Sequence, residues 1–349
     1  MRFDRTLNLQ FFLLLPFLLL ALVALAACQN IAGADENSLV VYSGRSESLV
    51  QPIIDQFAEA TGIKVEVRYG STSEMAGVLL EEGDNSPADV FYAQDPGGVG
   101  AISNAGMFAE LPAETLAKVR DRFSPDSGQW VGISGRARVV VYNTDAITDP
   151  ESQLPDDLEG FLDPAWAGRI GWAPTNGSFQ AMVTVMRAAW GEERTSAWLQ
   201  GIQANNPVVF DGNTPVVAAV AAGEVDVGFV NHYYLYRFLA EQGERFTARN
   251  YFLPAGGPGS LIMVSGAGIL NTASNPENAQ RFIDFLLSVP GQQYFASQTY
   301  EYPVVEGVNI DSRLPALSSL DAQAINLSVE EMDDLSGTQD MLLDLGIIQ

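Results

Sequence analysis

Residues 224 to 237 read Glu-Val-Asp-Val-Gly-Phe-Val-Asn-His-Tyr-Tyr-Leu-Tyr-Arg, and this stretch indicates how the chain folds around it. Its first half alternates apolar and acidic side chains, which is typical of a strand, and residues 235–243 continue with helical spacing. Tyr233 and Tyr234 are therefore expected at the carboxyl end of a strand, where open α/β sheets bind ligands. Half-buried packing is the commoner role of such tyrosines, and this stretch alone leaves that interpretation open.

Strands and helices alternate on both sides of this stretch, which predicts an α/β fold with doubly wound sheets. Ser73 is expected to cap one of the helices. The predicted strands cover residues 39–42, 64–69, 88–92, 169–172, 208–210 and 225–230. The predicted helices cover residues 48–60, 73–83, 98–106, 179–190, 193–203, 214–222 and 276–287.

Two further apolar segments predict connections between two lobes. Residues 130–143 are long for one strand and contain Gly132 and Gly135, and residues 260–266 form a second β-rich stretch. We interpret them as two crossover strands that join two doubly wound lobes around a cleft. Lobe 1 is predicted to comprise residues 39–135 plus about 267–306, and lobe 2 residues 136–266 plus about 307–349.

The first 28 residues are expected to direct export rather than to fold. Arg2 and Arg5 precede an apolar run at residues 11–27, which is short for a membrane span and ends in small residues. The sequence Leu-Ala-Ala-Cys at 25–28 resembles a bacterial lipobox, which implies lipid modification of Cys28. Because Cys28 is the only cysteine, no internal disulfide can form. Residues 29–38 are predicted to be a tether.

The charge of the chain excludes some partners. The 349 residues carry 43 acidic and 18 basic side chains, a formal net charge of −25. Such a charge argues against nucleic acid and against an anionic membrane face as a partner. The acidic segment at residues 330–334 is expected to be a solvated surface. About 310 residues remain after the export signal and tether, enough for two lobes.

Four blocks, in this order, carry a family resemblance that covers essentially the whole mature chain. They are Ser-Pro-Ala-Asp-Val-Phe-Tyr at 86–92, Ser-Gly-Arg-Ala-Arg-Val-Val-Val-Tyr at 134–142, Gly-Arg-Ile-Gly-Trp-Ala-Pro-Thr at 168–175, and Asn-His-Tyr-Tyr at 231–234. The chain resembles the ferric-ion-binding proteins of bacterial ABC iron importers, within the type II periplasmic binding fold. The resemblance implies an exported monomer without enzymatic activity that captures Fe(III) and delivers it to a permease. Its only membrane contact would be the lipid on Cys28, facing the periplasm or the cell exterior.

The same resemblance implies a metal site made mainly of tyrosines. The adjacent pair that matches Tyr233 and Tyr234 coordinates Fe(III) through phenolates, and the tyrosine that matches Tyr142 is a further ligand in some members. Fe(III) is a hard cation that prefers anionic oxygen, and one cysteine with one histidine cannot build a soft-ligand site. Metal affinity should fall as pH decreases, because protons compete for the ligands.

Lobe 1 departs from the best-known family pattern, in which a histidine and a glutamate complete the site. Those positions correspond to Ser46 and Gln94, neither of which is a good Fe(III) ligand. Glu47 or Asp95 would substitute only by a one-residue shift, which turns the side chain to the other side of an extended strand end.

Water or a small anion such as carbonate is expected to fill the remaining coordination positions. The turn before the helix at 179–190 presents the backbone N–H groups of a helix N-terminus, which attract anions. The same turn is also consistent with an ordinary N-cap, in which a side chain accepts from these groups. Arg45 and Arg138 are expected either to hold the anion or to be solvated. The resemblance implies that the anion contacts this turn, at Asn176, Gly177 and Ser178. It also implies that two further asparagines, Asn213 and Asn231, contact the anion.

Other residues have simpler interpretations. His232, the only histidine, is expected to support the site or to lie at the surface rather than to ligate the metal. Tyr236 is expected to pack on the helix that follows the tyrosine pair. The tryptophans of the second lobe are expected to form its core; they are Trp166, Trp172, Trp190 and Trp198.

Two other functions are compared with iron binding. A binding protein of the same fold for a polyamine or a phosphonate would use aromatic residues in the cleft, and Asp89 or Asp95 would pair with a cationic ligand. An exported hydrolase is disfavoured, because the sequence lacks a Gly-x-Ser-x-Gly turn and a histidine pair for zinc.

Overall fold

The computed structural model describes residues 37–321, 327, 330–332 and 334–349. The predicted export signal, Cys28 and residues 29–36 of the predicted tether lie outside the described residues. The strands are β1 Ser38–Ser43, β2 Lys64–Tyr69, β3 Val90–Ala93, β4 Val131–Asn143, β5 Ile170–Trp172, β6 Val208–Val209, β7 Val227–Asn231, β8 Ala248–Tyr251, β9 Ile262–Ile269 and β10 Tyr302–Pro303. The first helices are α1 Glu47–Thr61, α2 Thr72–Glu82, α3 Pro96–Asn104, α4 Ala113–Leu116, α5 Pro150–Gln153, α6 Gly177–Trp190 and α7 Glu192–Ala204. The remaining helices are α8 Asn213–Ala222, α9 Tyr233–Gln242, α10 Pro276–Leu286, α11 Val289–Tyr294, α12 Leu317–Asp321 and α13 Leu335–Asp344.

Polar residues define where the helices at the cleft begin. Ser71, rather than the predicted Ser73, caps α2 and forms a reciprocal capping box with Glu74, whose side chain reaches back to the Ser71 backbone N–H. Asp95 caps α3 by accepting a hydrogen bond from the Gly98 N–H. Asn176 caps α6 in the same way, as the predicted turn before this helix requires.

Strand β4 belongs to two sheets and thereby connects two lobes. Its residues from Val131 to Ala137 pair with β9, and its residues from Arg138 to Tyr142 pair with β7. We call the sheet in the order β2-β1-β3-β9-β4, with β10 on β4, the frame of lobe 1. The sheet in the order β4-β7-β5-β6, with β8 on β4, is the frame of lobe 2. The change of sheet falls between Ala137 and Arg138, two residues beyond the predicted lobe boundary.

Both crossings differ in detail from the sequence prediction. Gly132 and Gly135 do not interrupt β4, which is one 13-residue strand with a register shift between Gly132 and Ser134. The return crossing lies ahead of β9, because the paired residues of β9 all belong to the lobe 1 sheet. The parallel strands β1, β2 and β3 and the parallel strands β5, β6 and β7 make each sheet of the doubly wound type.

The core of lobe 2 is rich in aromatic residues, as predicted. Trp166, Trp172 and Trp198 are buried in one cluster, and Trp190 packs against that cluster. Burial of such large side chains makes them a major stabilising element of this lobe. Among the described residues, no helix combines the length and apolar character that a membrane crossing requires.

The C-terminal region was predicted incompletely. The sequence patterns did not predict β8 or α13, and the acidic segment at 330–334 is not simply a solvated surface. Met332 is 8 % exposed, and Asp334 caps α13 through the Gly337 N–H. A buried methionine within a run of acidic residues gives little periodic signal, so the sequence pattern predicts a solvated surface here.

Candidate metal and anion site

The two adjacent tyrosines begin α9 immediately after the carboxyl end of β7. Tyr233 is fully buried and Tyr234 is half-buried. Their rings are stacked, with centroids 4.3 Å apart and an interplanar angle of 27°. The chain therefore places both phenol groups at the sheet edge where the sequence prediction expected a ligand site.

Tyr234 lines a cavity of about 260 Å³ to which both lobes contribute. Hydroxyl, amide and carboxylate groups dominate its wall. A Cβ built on Gly177 of lobe 2 would lie 3.4 Å from Asp95 Oδ2 of lobe 1, so the two walls meet at van der Waals distance. From lobe 1 the wall includes Ser46, Thr72, Gln94 and Asp95, and from lobe 2 it includes Asn176, Gly177, Ser178 and Gln180.

Lobe 1 presents mainly neutral groups to the tyrosines. Gln94 Nε2 lies 3.3 Å from the Tyr233 hydroxyl oxygen, and Gln94 Oε1 is buried without a partner among the described residues. Ser46 is exposed at the cavity, and Glu47 is exposed but does not line it. Asp95 does line the cavity and is 3 % exposed; burial raises the pKa of its carboxyl group, against the opposing effect of Arg136.

The residues predicted to hold an anion form one hydrogen-bonded network in lobe 2. Asn176 Oδ1 accepts from the Ser178 backbone N–H at 3.1 Å and from Asn213 Nδ2 at 3.0 Å. The Asn231 backbone N–H donates to Asn213 Oδ1 at 3.2 Å, and Arg138 Nη1 donates to Asn231 Oδ1 at 3.1 Å. The N-termini of α6 and α8 and the end of β7 are therefore fixed against one another beside the tyrosines.

This network leaves several donors unused. Within the described part of the chain, Arg138 Nε and Nη2 and Asn231 Nδ2 are buried and have no hydrogen-bond partner. Burial lowers the pKa of the Arg138 guanidinium to about 9, although the neighbouring tyrosines oppose that shift. Unused buried donors of this kind are costly unless a ligand accepts from them.

Arg136 is a candidate site residue that the sequence analysis missed. Its side chain is fully buried, and none of its three guanidinium nitrogens has a hydrogen-bond partner among the described residues. Burial lowers the pKa of its guanidinium and Arg45 adds to this shift, whereas Tyr233 and Asp95 oppose it. Arg136 therefore lies close to the site. The alternation along β4 was available as a signal, because Arg136 and Arg138 share one face of an extended strand.

Arg45 has a different role from either predicted one. It is neither solvated nor free to hold an anion, because its Nη1 and Nη2 donate to Glu301 Oε1 and Oε2 at 2.9 and 2.7 Å. Both side chains are fully buried. Burial raises the pKa of Glu301, but the charge and hydrogen bonds of Arg45 outweigh burial and hold this pKa below its ordinary value. Arg45 therefore neutralises Glu301.

Tyr142 does not converge on the adjacent tyrosines. The register pairs Tyr142 with Val227, at the start of β7, whereas Arg138 pairs with Asn231 at its end. Tyr142 packs against the core cluster of lobe 2, and burial raises its pKa while Arg249 opposes that shift. Because β4 runs antiparallel to β7, the backbone at Tyr142 lies four strand residues, roughly 13 Å, from the backbone at Arg138 and Asn231.

His232 is a buried link rather than a ligand or a surface residue. Its Nδ1 accepts from the Ala137 backbone N–H at 3.0 Å, and its Nε2 lies 2.8 Å from the Tyr300 carbonyl oxygen. Burial lowers the pKa of the imidazole to about 4, so the ring is neutral near neutral pH. Tyr236 is buried and donates to the Arg313 carbonyl oxygen, in agreement with its predicted packing role.

The surroundings of Tyr233 favour the neutral phenol. Burial raises its pKa well above the ordinary value, and Tyr234 and Glu301 add to this shift, whereas Arg45 and Arg136 reduce it. No group of three histidine, cysteine or carboxylate side chains suited to a metal occurs in the described ranges.

The fold and this site define a bacterial solute-binding protein of the transport class. The sequence profile of the family "Bacterial extracellular solute-binding protein" matches residues 42–293. This family comprises substrate-binding components of transport systems, which are not enzymes.

Within that class, the chain belongs to the ferric-iron-binding protein family. It is 35 % identical over 313 residues to the Fe(3+)-binding periplasmic protein of Serratia marcescens, covering 89 % of this chain and 92 % of the relative. Iron-bound HitA of Pseudomonas aeruginosa superposes with a TM-score of 0.84 at 35 % identity, covering 88 % of this chain and 99 % of HitA. The Trichodesmium protein IdiA (FutA), solved with iron and citrate, superposes with a TM-score of 0.73 at 28 % identity, covering 88 % and 99 %. The predicted type II periplasmic binding fold is confirmed.

Proposed function

We propose that this protein captures Fe(III) through the phenolate oxygens of Tyr233 and Tyr234 and delivers it to an ABC permease. The stacked pair beside a polar cavity between two lobes is the observation that carries this function. Fe(III) prefers anionic oxygen, and a trivalent ion can deprotonate a phenol that is neutral in its absence. Binding then releases protons, so iron affinity decreases as pH falls. Relatives that are named for ferric iron support the same substrate.

A small anion is an essential part of the proposed site. Two phenolates neutralise only two of the three positive charges of the ion, and Arg136 and Arg138 add further positive charge nearby. Carbonate or a small carboxylate would accept from the free nitrogens of Arg136 and Arg138 and from Asn231 Nδ2, and would complete the coordination. The N-terminus of α6 at Asn176, Gly177 and Ser178 would add backbone donors, with Asn213 holding the turn. The citrate in the Trichodesmium relative supports an anion of this type.

The proposed ligand set excludes Tyr142 and includes no lobe 1 carboxylate. Gln94 and Ser46 would contact the bound complex as neutral groups. Asp95 is buried at the cavity wall but caps α3 through the Gly98 N–H, so we keep it outside the ligand set. We propose that lobe 1, at residues 39–137 and about 262–306, closes on lobe 2, at 138–261 and about 307–349.

The setting of this activity follows from the predicted export signal. We propose that Cys28 carries a lipid that anchors a monomeric protein to the membrane, facing the periplasm or cell exterior. The tether would leave the two lobes free to reach the permease. No nucleic acid partner is proposed, because the net charge of −25 repels one.

Adding ferric iron and carbonate to the purified protein tests the proposed function. A coloured phenolate-to-iron complex should form, and the double variant Tyr233→Phe, Tyr234→Phe should not form it. Tyr142→Phe is the matched control and should retain the colour and the affinity, because Tyr142 lies at the other end of β7. Full iron affinity in the double variant would place the site elsewhere.

A phosphonate is the alternative ligand that the unused arginine donors favour. A polyamine is disfavoured, because the buried Arg136 and Arg138 beside the tyrosines would repel a cation. Asp89 accepts from two backbone N–H groups, and Asp95, although it lines the cavity, accepts from the Gly98 N–H as the cap of α3. Thermal stabilisation by a phosphonate, without any by iron and carbonate, would reverse the choice of ligand.

A further inference from the structure

The C-terminal segment, made of the turn Glu330–Met332 and residues Asp334–Gln349, lies against lobe 2 along α6. We call this segment the C-terminal strap. Thr338 Oγ1 is 2.8 Å from Thr184 Oγ1, and both threonines are buried. Asp334 Oδ2 lies 2.9 Å from Arg187 Nη2, and Leu342 is fully buried in the lobe 2 core. These contacts fix the strap firmly to lobe 2.

The first residues of the strap, Met332 and Leu335, also reach lobe 1. A Cβ built on Gly97, in the first turn of α3, would lie 3.5 Å from Leu335 Cβ and 3.7 Å from the Met332 carbonyl oxygen. Met332 is 8 % exposed and belongs to a core cluster that spans both lobes, with Val99 from lobe 1 and Val185 from lobe 2. The distances from Gly97 are van der Waals distances, so the strap packs directly against the first turn of α3.

The strap also covers the cavity between the lobes. Gln339 lines the same cavity as Asp95 of lobe 1 and Asn176 of lobe 2. Its Nε2 donates to Gln180 Oε1 on α6 at 3.3 Å. The strap therefore touches both lobes and contributes one amide side chain to the wall of the site.

We propose that the C-terminal strap is a latch, fixed to lobe 2, whose apolar contact with α3 of lobe 1 holds the cleft closed. Opening must separate Met332 and Leu335 from Gly97 while the contacts along α6 persist. The two sides of this latch differ in strength, because buried threonine, ion-pair and leucine contacts hold the lobe 2 side and two apolar residues hold the lobe 1 side. Gln339 stays with the strap on lobe 2 and therefore separates from the lobe 1 wall of the cavity. This separation exposes the bound ligand. This proposal concerns closure and does not depend on which ligand the cavity binds.

The distance between the lobes in the ligand-free protein tests the latch. Spin labels at Leu80→Cys in α2 and Val209→Cys in β6 report this distance, because both side chains are exposed, at 49 % and 62 %. The full chain carries Cys28→Ala so that only these positions react. The double variant Met332→Ser, Leu335→Ser should increase the population of the longer distance about tenfold. Leu343→Ser, on an exposed side chain of the same helix, is the control and should leave the distances unchanged.

A second variant changes the lobe 1 side of the same contact. Gly97→Val adds a side chain that displaces Leu335 and leaves the strap sequence intact. The latch requires both variants to widen the cleft, with a cooperative thermal transition retained as evidence of folding. Unchanged distances in both would overturn the proposal, as would widening in Leu343→Ser. Widening in the strap variant alone would show that Met332 and Leu335 act within lobe 2, which also contradicts a latch.

Discussion

Two regions beside the cleft bury arginines equally well and use them differently. In lobe 1, just before α1, Arg45 forms a bidentate pair with Glu301, which also accepts from Thr299 Oγ1 at 2.9 Å. In the region beside the tyrosines, Arg136 has no partner among the described residues and Arg138 keeps two free nitrogens. A buried charge that is paired within the chain supports the fold, whereas a buried charge left unpaired is available to a ligand.

The largest effect is expected from breaking the paired region. Arg45→Met should lower the free energy of unfolding by about 3–5 kcal/mol, because it leaves the Glu301 carboxylate buried without a counter-charge. Chemical denaturation of the iron-free protein measures this change. The double variant Arg45→Met, Glu301→Leu should recover most of the loss, because it removes both charges. A single variant as stable as the parent would contradict the structural role of the pair.

His232 connects the two regions and should make stability depend on pH. Burial lowers its pKa from 6.5 to about 4, so the unfolded chain binds a proton that the folded chain excludes between these values. Stability is therefore retained above pH 6.5 and decreases as pH falls towards 4, by about 3 kcal/mol at roughly 1.4 kcal/mol per pKa unit. Denaturation across this range measures the slope, and His232→Gln should flatten it. An unchanged slope in that variant would assign the dependence to other groups.

Removing the unpaired charge of Arg136 should raise the free energy of unfolding, whereas breaking the Arg45–Glu301 pair should lower it. Arg136→Met should raise the stability of the iron-free protein by about 1–3 kcal/mol, because an unsatisfied buried group disappears. The same variant should weaken iron binding in the presence of carbonate about tenfold, since one charge-assisted contact is worth about 1.5–3 kcal/mol. Arg136→Lys, which keeps the charge, should lose less affinity. Loss of stability in Arg136→Met would show that Arg136 supports the fold as Arg45 does.

The smallest effect is expected at the neutral lobe 1 wall. Gln94→Ala should reduce iron affinity only about threefold, because it removes one neutral hydrogen bond near Tyr233, worth roughly 0.5–1.5 kcal/mol. A competition titration against a chelator measures the change, with Glu47→Gln as an exposed control. A loss as large as that of a tyrosine variant would mean that lobe 1 ligates the metal directly.

Local patterns in the sequence predicted most of the elements around the site. The alternation before Tyr233 predicted β7, the spacing after it predicted α9, and the polar turn at Asn176 predicted the start of α6. Each of these signals lies within a few residues of the feature it predicts, so periodicity and capping are sufficient to detect it.

Long-range pairing was not predictable in the same way. Arg45 and Glu301 are separated by 256 residues, and neither position shows that the other will neutralise it. Tyr142 was misplaced because its distance from the pair depends on the register of β4 against β7, which one sequence does not define. Arg136 was missed because its lack of a partner is a property of the folded interior.

A crystal structure of the protein loaded with ferric iron and carbonate would show the metal ligands themselves. We expect the phenolate oxygens of Tyr233 and Tyr234 both to bind the iron, an anion to accept from Arg138 at the N-terminus of α6, and Tyr142 to remain in the lobe 2 core. Iron held by Tyr142, or held without one of the two adjacent phenolates, would contradict this expectation.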